Sequence, residues 1–240
     1  MKHLRIAFNV LTTLPFRAPA DWQPGDHGRA AVWFPFVGLV IGALVAGAQR
    51  LLDLVFPPSV AGALALALWV LLTGGMHLDG LADSCDGLFH PSAPERRLEI
   101  MKDPRVGSFG AIGLVLALLI KGAALVALPS QRAVPATLLA ASLARWMVIL
   151  AGLRPPARGA GMGFNLSASL KPSALIWGGL IPLGALLAAG VPGVIAALAA
   201  LLAAFALLAF ARARIGGVTG DVFGLLVETT EIIILTVMTL

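Results

Sequence analysis

Long apolar runs alternate with short polar connections along most of the 240-residue chain. A run of about 20 apolar residues is long enough for a helix to cross the hydrocarbon core of a membrane. The pattern therefore predicts an all-α fold, a polytopic transmembrane helical bundle of about seven spans, or six if the acidic last segment does not cross. We predict one domain over residues 1–240. The predicted spans cover residues 31–52, 59–75, 109–128, 133–152, 174–190, 193–211 and 222–240.

The segments outside these runs have two different patterns. Residues 4–16 are apolar but too short to cross, which predicts a helix lying in the membrane interface. Residues 17–30 are polar and contain Pro and Gly, which predicts a loop. Two long polar inserts, residues 89–108 and 154–172, separate later spans.

Composition and charge support a membrane protein and suggest its orientation. Hydrophobic residues make up 59% of the chain, charged residues make up 12%, and the mean hydropathy is +0.94, whereas about 25% of a soluble domain is charged. The net charge of +5 does not indicate a nucleic-acid partner, because the basic residues recur between the apolar runs and form no single patch. We expect membrane lipid to surround the helical bundle. A cytoplasmic N-terminus would place thirteen loop Lys and Arg residues inside and two outside, so both inserts would face the cytoplasm.

The polar stretch over residues 74–90 holds three aspartates and no Lys or Arg. Asp79, Asp83 and Asp86 are spaced i, i+4 and i+7, so on a helix they project from one face over about 10 Å. Carboxylates this close repel one another unless a proton or a metal ion lies between them. Oxygen ligands without cysteine favour Mg²⁺, or Mn²⁺ in its place, and a phosphate ester or anhydride as substrate. The alternative is a solvated helix end.

Three neighbours of these aspartates are further candidates. Gly80 and Gly87 each follow an aspartate directly and leave space for a substrate to approach the backbone. His77 is two residues before Asp79 and on a regular helix points away from the aspartate face. It is a candidate general base, or else a residue that packs at the end of the helix.

A basic segment over residues 99–110 follows in the first polar insert. Lys102 and Arg105 flank Asp103, and Gly107 precedes a predicted span. Arg binds phosphate through two donors, Lys acts as a point charge, and glycine lets backbone N–H groups approach an anion. The segment therefore predicts phosphate binding, with contact to anionic lipid as the alternative.

Acidic residues recur near the C-terminus, over residues 216–231. Asp221 and Glu228 share a helix face, so they are candidate catalytic carboxylates, and Glu231 is about one turn further along. The alternative is a terminal amphipathic helix with surface acids. Arg145 and Lys121 lie inside predicted spans, where they could pair with these glutamates or bind an anionic substrate. Arg145 is kept as a candidate substrate-binding residue.

Three stretches in this order resemble one known family. HLDGLADSCDG over residues 77–87, IMKDPRVGSFG over 100–110 and GGVTGDVFGLLVETTE over 216–231 are similar to motifs of the cobalamin synthase family, the adenosylcobinamide-GDP ribazoletransferases. The resemblance covers nearly the whole chain. Pro104, Ser108 and Phe109 stand where the family has serine, threonine and tyrosine, and Phe109 removes phenol chemistry at that position.

The resemblance implies a multi-pass enzyme of the cell inner membrane that requires Mg²⁺ and joins the lower nucleotide loop to the corrinoid. Its substrates would be adenosylcobinamide-GDP and α-ribazole or its 5′-phosphate. For this reaction we expect the three aspartates to hold the metal ion, Lys102 and Arg105 to bind phosphate, and Asp103, Asp221 or His77 to accept the hydroxyl proton. The sequence leaves open a homo-oligomer or contact with other enzymes of nucleotide-loop assembly.

Two other functions share some of these features. A CDP-alcohol phosphotransferase also carries clustered aspartates, but residues 79–83 read DGLAD where that signature has D-G-x-x-A-R, and the final D-x-x-D spacing is shorter. A transporter would use intramembrane carboxylates, but these acids are predicted at one side of the membrane, and no pair of broken-helix repeats is found.

Overall fold

A computed structural model describes residues 1–23 and 25–240. Pro24, part of the loop predicted over residues 17–30, lies outside the described residues. The described residues form eleven α-helices and contain no β-strand, only one isolated bridge between Pro156 and Val218. The helices are α1 (Lys2–Leu11), α2 (Asp26–Ala30), α3 (Phe34–Leu52), α4 (Pro58–Thr73), α5 (Met76–Phe89), α6 (Pro94–Ile100), α7 (Ser108–Ala127), α8 (Ser130–Gly152), α9 (Met162–Ser169), α10 (Ser173–Ile215) and α11 (Gly220–Val237).

Helix α8 lies at the centre of the bundle and packs against α3, α10 and α11. The contact between α3 and α8 is close because small residues line it. A Cβ atom at Gly38 would lie 2.3 Å from the carbonyl oxygen of Ala141, and one at Gly42 would lie 2.7 Å from that of Thr137. Two glycines spaced i and i+4 allow such close backbone approach between membrane helices. The glycines of the first predicted span therefore serve tight packing against α8.

The number of spans is where the structure departs from the sequence pattern. Four helical stretches are long and apolar enough to cross a membrane, or five if the bent pair of α4 and α5 counts as one span. The four are Asp26–Leu52, Ser108–Ala127, Ser130–Gly152 and Ser173–Ile215. The predicted count of seven is therefore not confirmed, and α11, which carries three acidic residues, is not among these stretches.

Helix α10 contains both the fifth and the sixth predicted spans. Its 43 residues would measure about 65 Å if straight, more than twice the thickness of about 30 Å of a membrane core. Gly190 interrupts the helical dihedral angles with φ 64° and ψ −154°, a conformation that favours glycine. The break lies at the last residue of the predicted span 174–190, and it divides α10 into two helical segments.

A sharp bend between α4 and α5 sets the direction of the aspartate stretch. Gly74 and Gly75 both have positive φ angles, 61° and 70°, and the two helix axes differ by 88°. Glycine accepts this left-handed conformation without steric cost, and it commonly ends a helix. The aspartate helix therefore runs across the direction of α4 and does not extend it.

The N-terminal region is more ordered than the sequence pattern indicates. Helix α1 ends at Leu11, short of the predicted residue 16, and it buries Ile6, Phe8 and Leu11 in the core. The predicted loop becomes helical from Asp26 onwards. Lys2 lies 2.9 Å from a carboxylate oxygen of Asp26, which ties the two helices together across the connecting loop.

Candidate active site

The three aspartates of the polar stretch lie on one regular helix, as their spacing predicted. Helix α5 contains all three within 14 residues. Their exposure falls along the helix, because Asp79 is exposed, Asp83 is half-buried and Asp86 is buried. The side chains therefore do not share one environment, and each has a different set of partners.

Asp86 holds the first turn of α7. Its Oδ2 accepts a hydrogen bond of 2.7 Å from the backbone N–H of Gly107, and its Oδ1 accepts one of 2.9 Å from Gly110. A carboxylate is favoured there, because the first N–H groups of a helix lack partners and carry partial positive charge. A Cβ atom at Gly107 would lie 2.5 Å from Oδ1, so the contact requires glycine. Each oxygen keeps a second lone pair, and metal binding by Asp86 stays a prediction.

Asp221 brings the C-terminal motif to the same site. Its Oδ2 lies 3.4 Å from Nη1 of Arg158 and 3.2 Å from the hydroxyl of Thr219, the residue that caps the start of α11. Arg158 also donates a 2.8 Å hydrogen bond to the carbonyl oxygen of Leu98, in helix α6 of the first polar insert. Sequence reasoning did not single out Arg158. Its position in the second polar insert, on the same predicted side of the membrane as the aspartates, could have pointed to it.

Negative charge is in excess where these elements meet. Asp83 lies close enough to Asp221, Asp79 and Asp86 to be repelled by each, and Arg158 is the cation that attracts it. The ion pairs among residues 1–23 and 25–240 include neither Asp79 nor Asp83. One arginine thus faces four carboxylates, a balance that a bound cation would improve.

The donor chemistry of this cluster fits Mg²⁺. No group of three or more His, Cys, Asp or Glu side chains in the described part of the chain is arranged to hold a metal ion. Magnesium, however, is commonly bound through one or two carboxylates together with substrate phosphates and water. Asp79 and Asp83 supply two such carboxylates free of ion pairs, so the residues suit a metal ion that arrives with a phosphorylated substrate.

The basic segment borders an open cleft of about 550 Å³ beside Asp86. Asp103 and Arg105 both line it and are paired, with Arg105 Nη2 2.6 Å from Asp103 Oδ2. This hydrogen bond from Arg105 lowers the pKa of the Asp103 carboxyl to about 2, so Asp103 is a weak proton acceptor. Lys102 is exposed and pairs with no carboxylate of the described chain, which leaves its ammonium group available for an anion.

Helix packing accounts for the two glycines that follow the aspartates. A Cβ atom at Gly80 would lie 2.9 Å from the backbone oxygen of Asp221, and one at Gly87 would lie 2.3 Å from Cγ of Met101. The space beside each glycine is taken by α11 or by the end of α6. At Gly80 this close packing brings Asp221 up to the aspartate helix. Contact of either glycine with the substrate stays a prediction.

Glu228 and Arg145 lie in a separate buried cluster of charges. Lys121 Nζ is 2.8 Å from Glu228 Oε2 and also bonds to Glu231, which pairs with Arg145 as well. All four side chains are at most 5% exposed. Of the alternatives for Lys121 and Arg145, the structure shows pairing with the glutamates. Glu228 and Arg145 both belong to this cluster, and their roles towards the substrate stay predictions.

His77 faces away from the aspartates, as its position on the helix predicted. It is 4% exposed, and its Nδ1 has no hydrogen-bond partner among the described residues. The charges that act on it most strongly belong to Arg145 and Lys121. Its role as a general base stays a prediction.

Comparison with known proteins identifies the family. A family model described as cobalamin-5-phosphate synthase matches residues 3–239. Adenosylcobinamide-GDP ribazoletransferase of Pseudomonas paraeruginosa is 41% identical over all of this chain and 98% of its own length, and that of Deinococcus radiodurans is 43% identical over 98% of this chain and 84% of its own length. The Acetivibrio thermocellus enzyme of the same name is 32% identical over 96% of this chain and 94% of its own length. No solved structure matches the chain. The chain belongs to the cobalamin-5-phosphate synthase family.

Proposed function

We propose that this protein is an adenosylcobinamide-GDP ribazoletransferase, the activity for which its relatives are named. One structural observation supports the proposal independently of the relatives' names: three motifs that are far apart in the sequence meet at one site. Asp86 bonds to Gly107 and Gly110, and Asp83 lies close to Asp221. Transfer of a phosphoryl group to a hydroxyl needs such a place, where phosphate charge is neutralised and the hydroxyl proton is removed.

In the proposed reaction, a ribose hydroxyl of α-ribazole, or of its 5′-phosphate, attacks the corrinoid-side phosphorus of adenosylcobinamide-GDP. A new P–O bond forms as the anhydride bond breaks, and GMP leaves with the electron pair of that bond. The hydroxyl proton passes to a protein base. Phosphoryl transfer of this kind depends mainly on positioning and on charge stabilisation.

Cations on both sides of the carboxylate cluster would bind the phosphates. Arg105 borders the cleft beside Asp86, Lys102 is an exposed residue of the same basic segment, and Arg158 lies next to Asp221. Arginine suits this role because its planar group presents several donors to phosphate oxygens. We place the adenosylcobinamide-GDP diphosphate between these two sides, over Asp83.

Two candidates remain for the protein group that accepts the hydroxyl proton, Asp221 and His77. Asp103 was an equal candidate in the sequence, but its pairing with Arg105 makes it a weak acceptor. We favour Asp221, because its side chain is 23% exposed and lies within the carboxylate cluster, whereas His77 is buried on the other face of α5. Mg²⁺, or Mn²⁺, would be held by Asp79 and Asp83 with Asp86 beside them, and would supply neutralising charge to the diphosphate.

We further propose that the protein is a multi-pass protein of the cell inner membrane with this site facing the cytoplasm. The connections at residues 53–57 and 128–130 meet at one end of the bundle, where Arg50 donates to the carbonyl oxygen of Ser130. The polar inserts and the aspartate helix meet at the other, more basic end. An excess of Lys and Arg is typical of cytoplasmic loops, and seven spans follow if α4, α11 and both segments of α10 cross.

The activity is tested on detergent-purified protein supplied with adenosylcobinamide-GDP, α-ribazole 5′-phosphate and Mg²⁺, with GMP followed by chromatography. GMP release that stops on adding a chelator and resumes with excess Mg²⁺ is expected. The Asp79→Asn and Asp83→Asn variants should release GMP at least tenfold more slowly. No GMP from folded protein, or CMP from a CDP-alcohol instead, would overturn the proposal.

The role of Arg158 is tested with Arg158→Met and the matched control Arg154→Met. Arg154 is exposed, four residues earlier in the same insert, and in none of the ion pairs between described residues. Loss of a cation at the reacting phosphate lowers turnover by about a hundredfold, whereas the control should keep at least half of the wild-type rate. Equal rates for the two variants would remove Arg158 from the site.

A further inference from the structure

Two buried histidines line one small cavity at the junction of α1, α5, α9 and α11. His27 and His77 are 8% and 4% exposed, and Nδ1 of each has no hydrogen-bond partner in the described part of the chain. The cavity has a volume of about 70 Å³. Buried polar nitrogen atoms normally have partners, so these two are available to hydrogen-bond a molecule that enters the cavity.

The remaining wall of the cavity is apolar. Its main side chains are Leu11, Phe34, Val148, Leu166 and Phe223. Pockets of this kind, apolar with a few convergent polar groups, suit flat aromatic ligands that carry one or two ring heteroatoms. A phosphate or a sugar would leave most of its polar atoms unpaired here.

The position of the cavity relates it to the proposed site. Gly220 borders it and directly precedes Asp221, while His77 borders it from α5. The open cleft for the donor lies beside Asp86, nine residues further along α5 and thus about 13 Å away. Along α5, Asp79 and Asp83 lie between His77 and Asp86, and Gly220 is followed directly by Asp221, so a molecule held in the cavity would approach Asp221 past Gly220.

We propose that this cavity binds the heteroaromatic base of the nucleoside acceptor, with its unsubstituted ring nitrogen hydrogen-bonded to His27 or His77. The inference rests on the proposed function and adds a substrate subsite to it. The base of α-ribazole is a fused, mostly apolar ring, and its ribose would extend past Gly220 towards Asp221. The cavity as it stands has room for about two water molecules, so the ring enters by moving the flexible side chain of Met162, which lines the cavity and is 55% exposed.

The test varies each substrate in turn and measures GMP release by His27→Leu and Met162→Phe. His27→Leu removes a hydrogen-bond partner of the heteroaromatic ring, and Met162→Phe narrows the entrance to the cavity. Both should raise KM for α-ribazole 5′-phosphate by about tenfold or more, while KM for adenosylcobinamide-GDP changes less than twofold. His3→Leu is the matched control on α1, outside the cavity lining, and Met162→Leu keeps an apolar side chain at the entrance. Both controls should behave like the wild type.

Free benzimidazole supplies a second readout. It should inhibit the wild type competitively against the acceptor but not against the donor, and should inhibit His27→Leu more weakly. Unchanged acceptor KM in both variants, or competition of benzimidazole with the donor, would overturn the proposal. If His27→Leu does not fold, Met162→Phe decides, because its side chain lies at the surface. Absence of GMP from the wild type would instead refute the proposed function.

Discussion

Replacing Asp86 by asparagine should destabilise the protein far more than the same change at Asp79. Both oxygens of Asp86 accept backbone N–H groups at the start of α7, at 2.7 and 2.9 Å. Hydrogen bonds to a charged group contribute about 1.5–3 kcal/mol each. Asparagine keeps one acceptor and turns its NH₂ group towards the other N–H, so one bond is lost and a buried donor is left unpaired. We expect the free energy of unfolding to fall by about 2–4 kcal/mol.

The assay is unfolding by a denaturing detergent, followed by the fluorescence of the five tryptophans. Asp79→Asn is the matched control, since Asp79 is on the same helix but exposed, and its stability should stay within about 0.5 kcal/mol of the wild type. The loss at Asp86 should be the same with and without a chelator, because its partners are backbone groups. Equal stability of the two variants would refute this reasoning, and a loss seen only with Mg²⁺ present would show that Asp86 acts mainly as a ligand.

Three further predictions concern the buried charges, the helix packing and the pH dependence. Lys121→Met removes one of the cations that pair with two buried glutamates, so the free energy of unfolding should fall by about 3–5 kcal/mol in the same assay. If this variant is as stable as the wild type, the cluster does not contribute to stability. Gly80→Ala should cost about 1–3 kcal/mol, because its Cβ atom would press on the backbone of α11. Gly47→Ala should not destabilise the protein, because no atom from another part of the described chain lies within 4 Å of the added Cβ atom. Equal losses of stability in the two variants would contradict close packing at Gly80. Asp103 has a pKa of about 2, lowered by Arg105, so its stabilising effect is present above its unfolded pKa of 3.8 and is lost as the pH falls towards 2. Asp103→Asn should therefore leave the rate–pH profile between pH 5 and 9 unchanged in shape; a shifted acid limb would identify Asp103 as the base.

Helix by helix, the local pattern was informative. The apolar runs predicted the helices of the bundle, and the i, i+4, i+7 spacing correctly predicted one helix carrying Asp79, Asp83 and Asp86. It also predicted that His77 would point the other way. These features depend on the 3.6-residue period and on side-chain polarity, which are properties of neighbouring residues. The three ordered motifs were enough to identify the family.

The direction of the chain between helices was not predictable in the same way. Two glycines bend the chain by 88° before the aspartates, and a third at position 190 interrupts the longest helix. Glycine is compatible with a straight helix as well as with a left-handed turn, so its presence alone does not distinguish them. The span count depended on these points, and seven spans stay a proposal.

What the sequence determined by itself was the helical membrane fold, the position of each acidic and basic segment, and the family. Only the tertiary structure decided which charges meet: Lys121 and Arg145 pair with glutamates, Arg158 pairs with Asp221, and Asp86 holds the first turn of α7. The physical reason is that a local pattern sets which face of a helix is polar. The partner of each charge is instead set by the packing of helices that are far apart in the chain, because an ion pair or a cap forms only where that packing brings two groups within hydrogen-bonding distance.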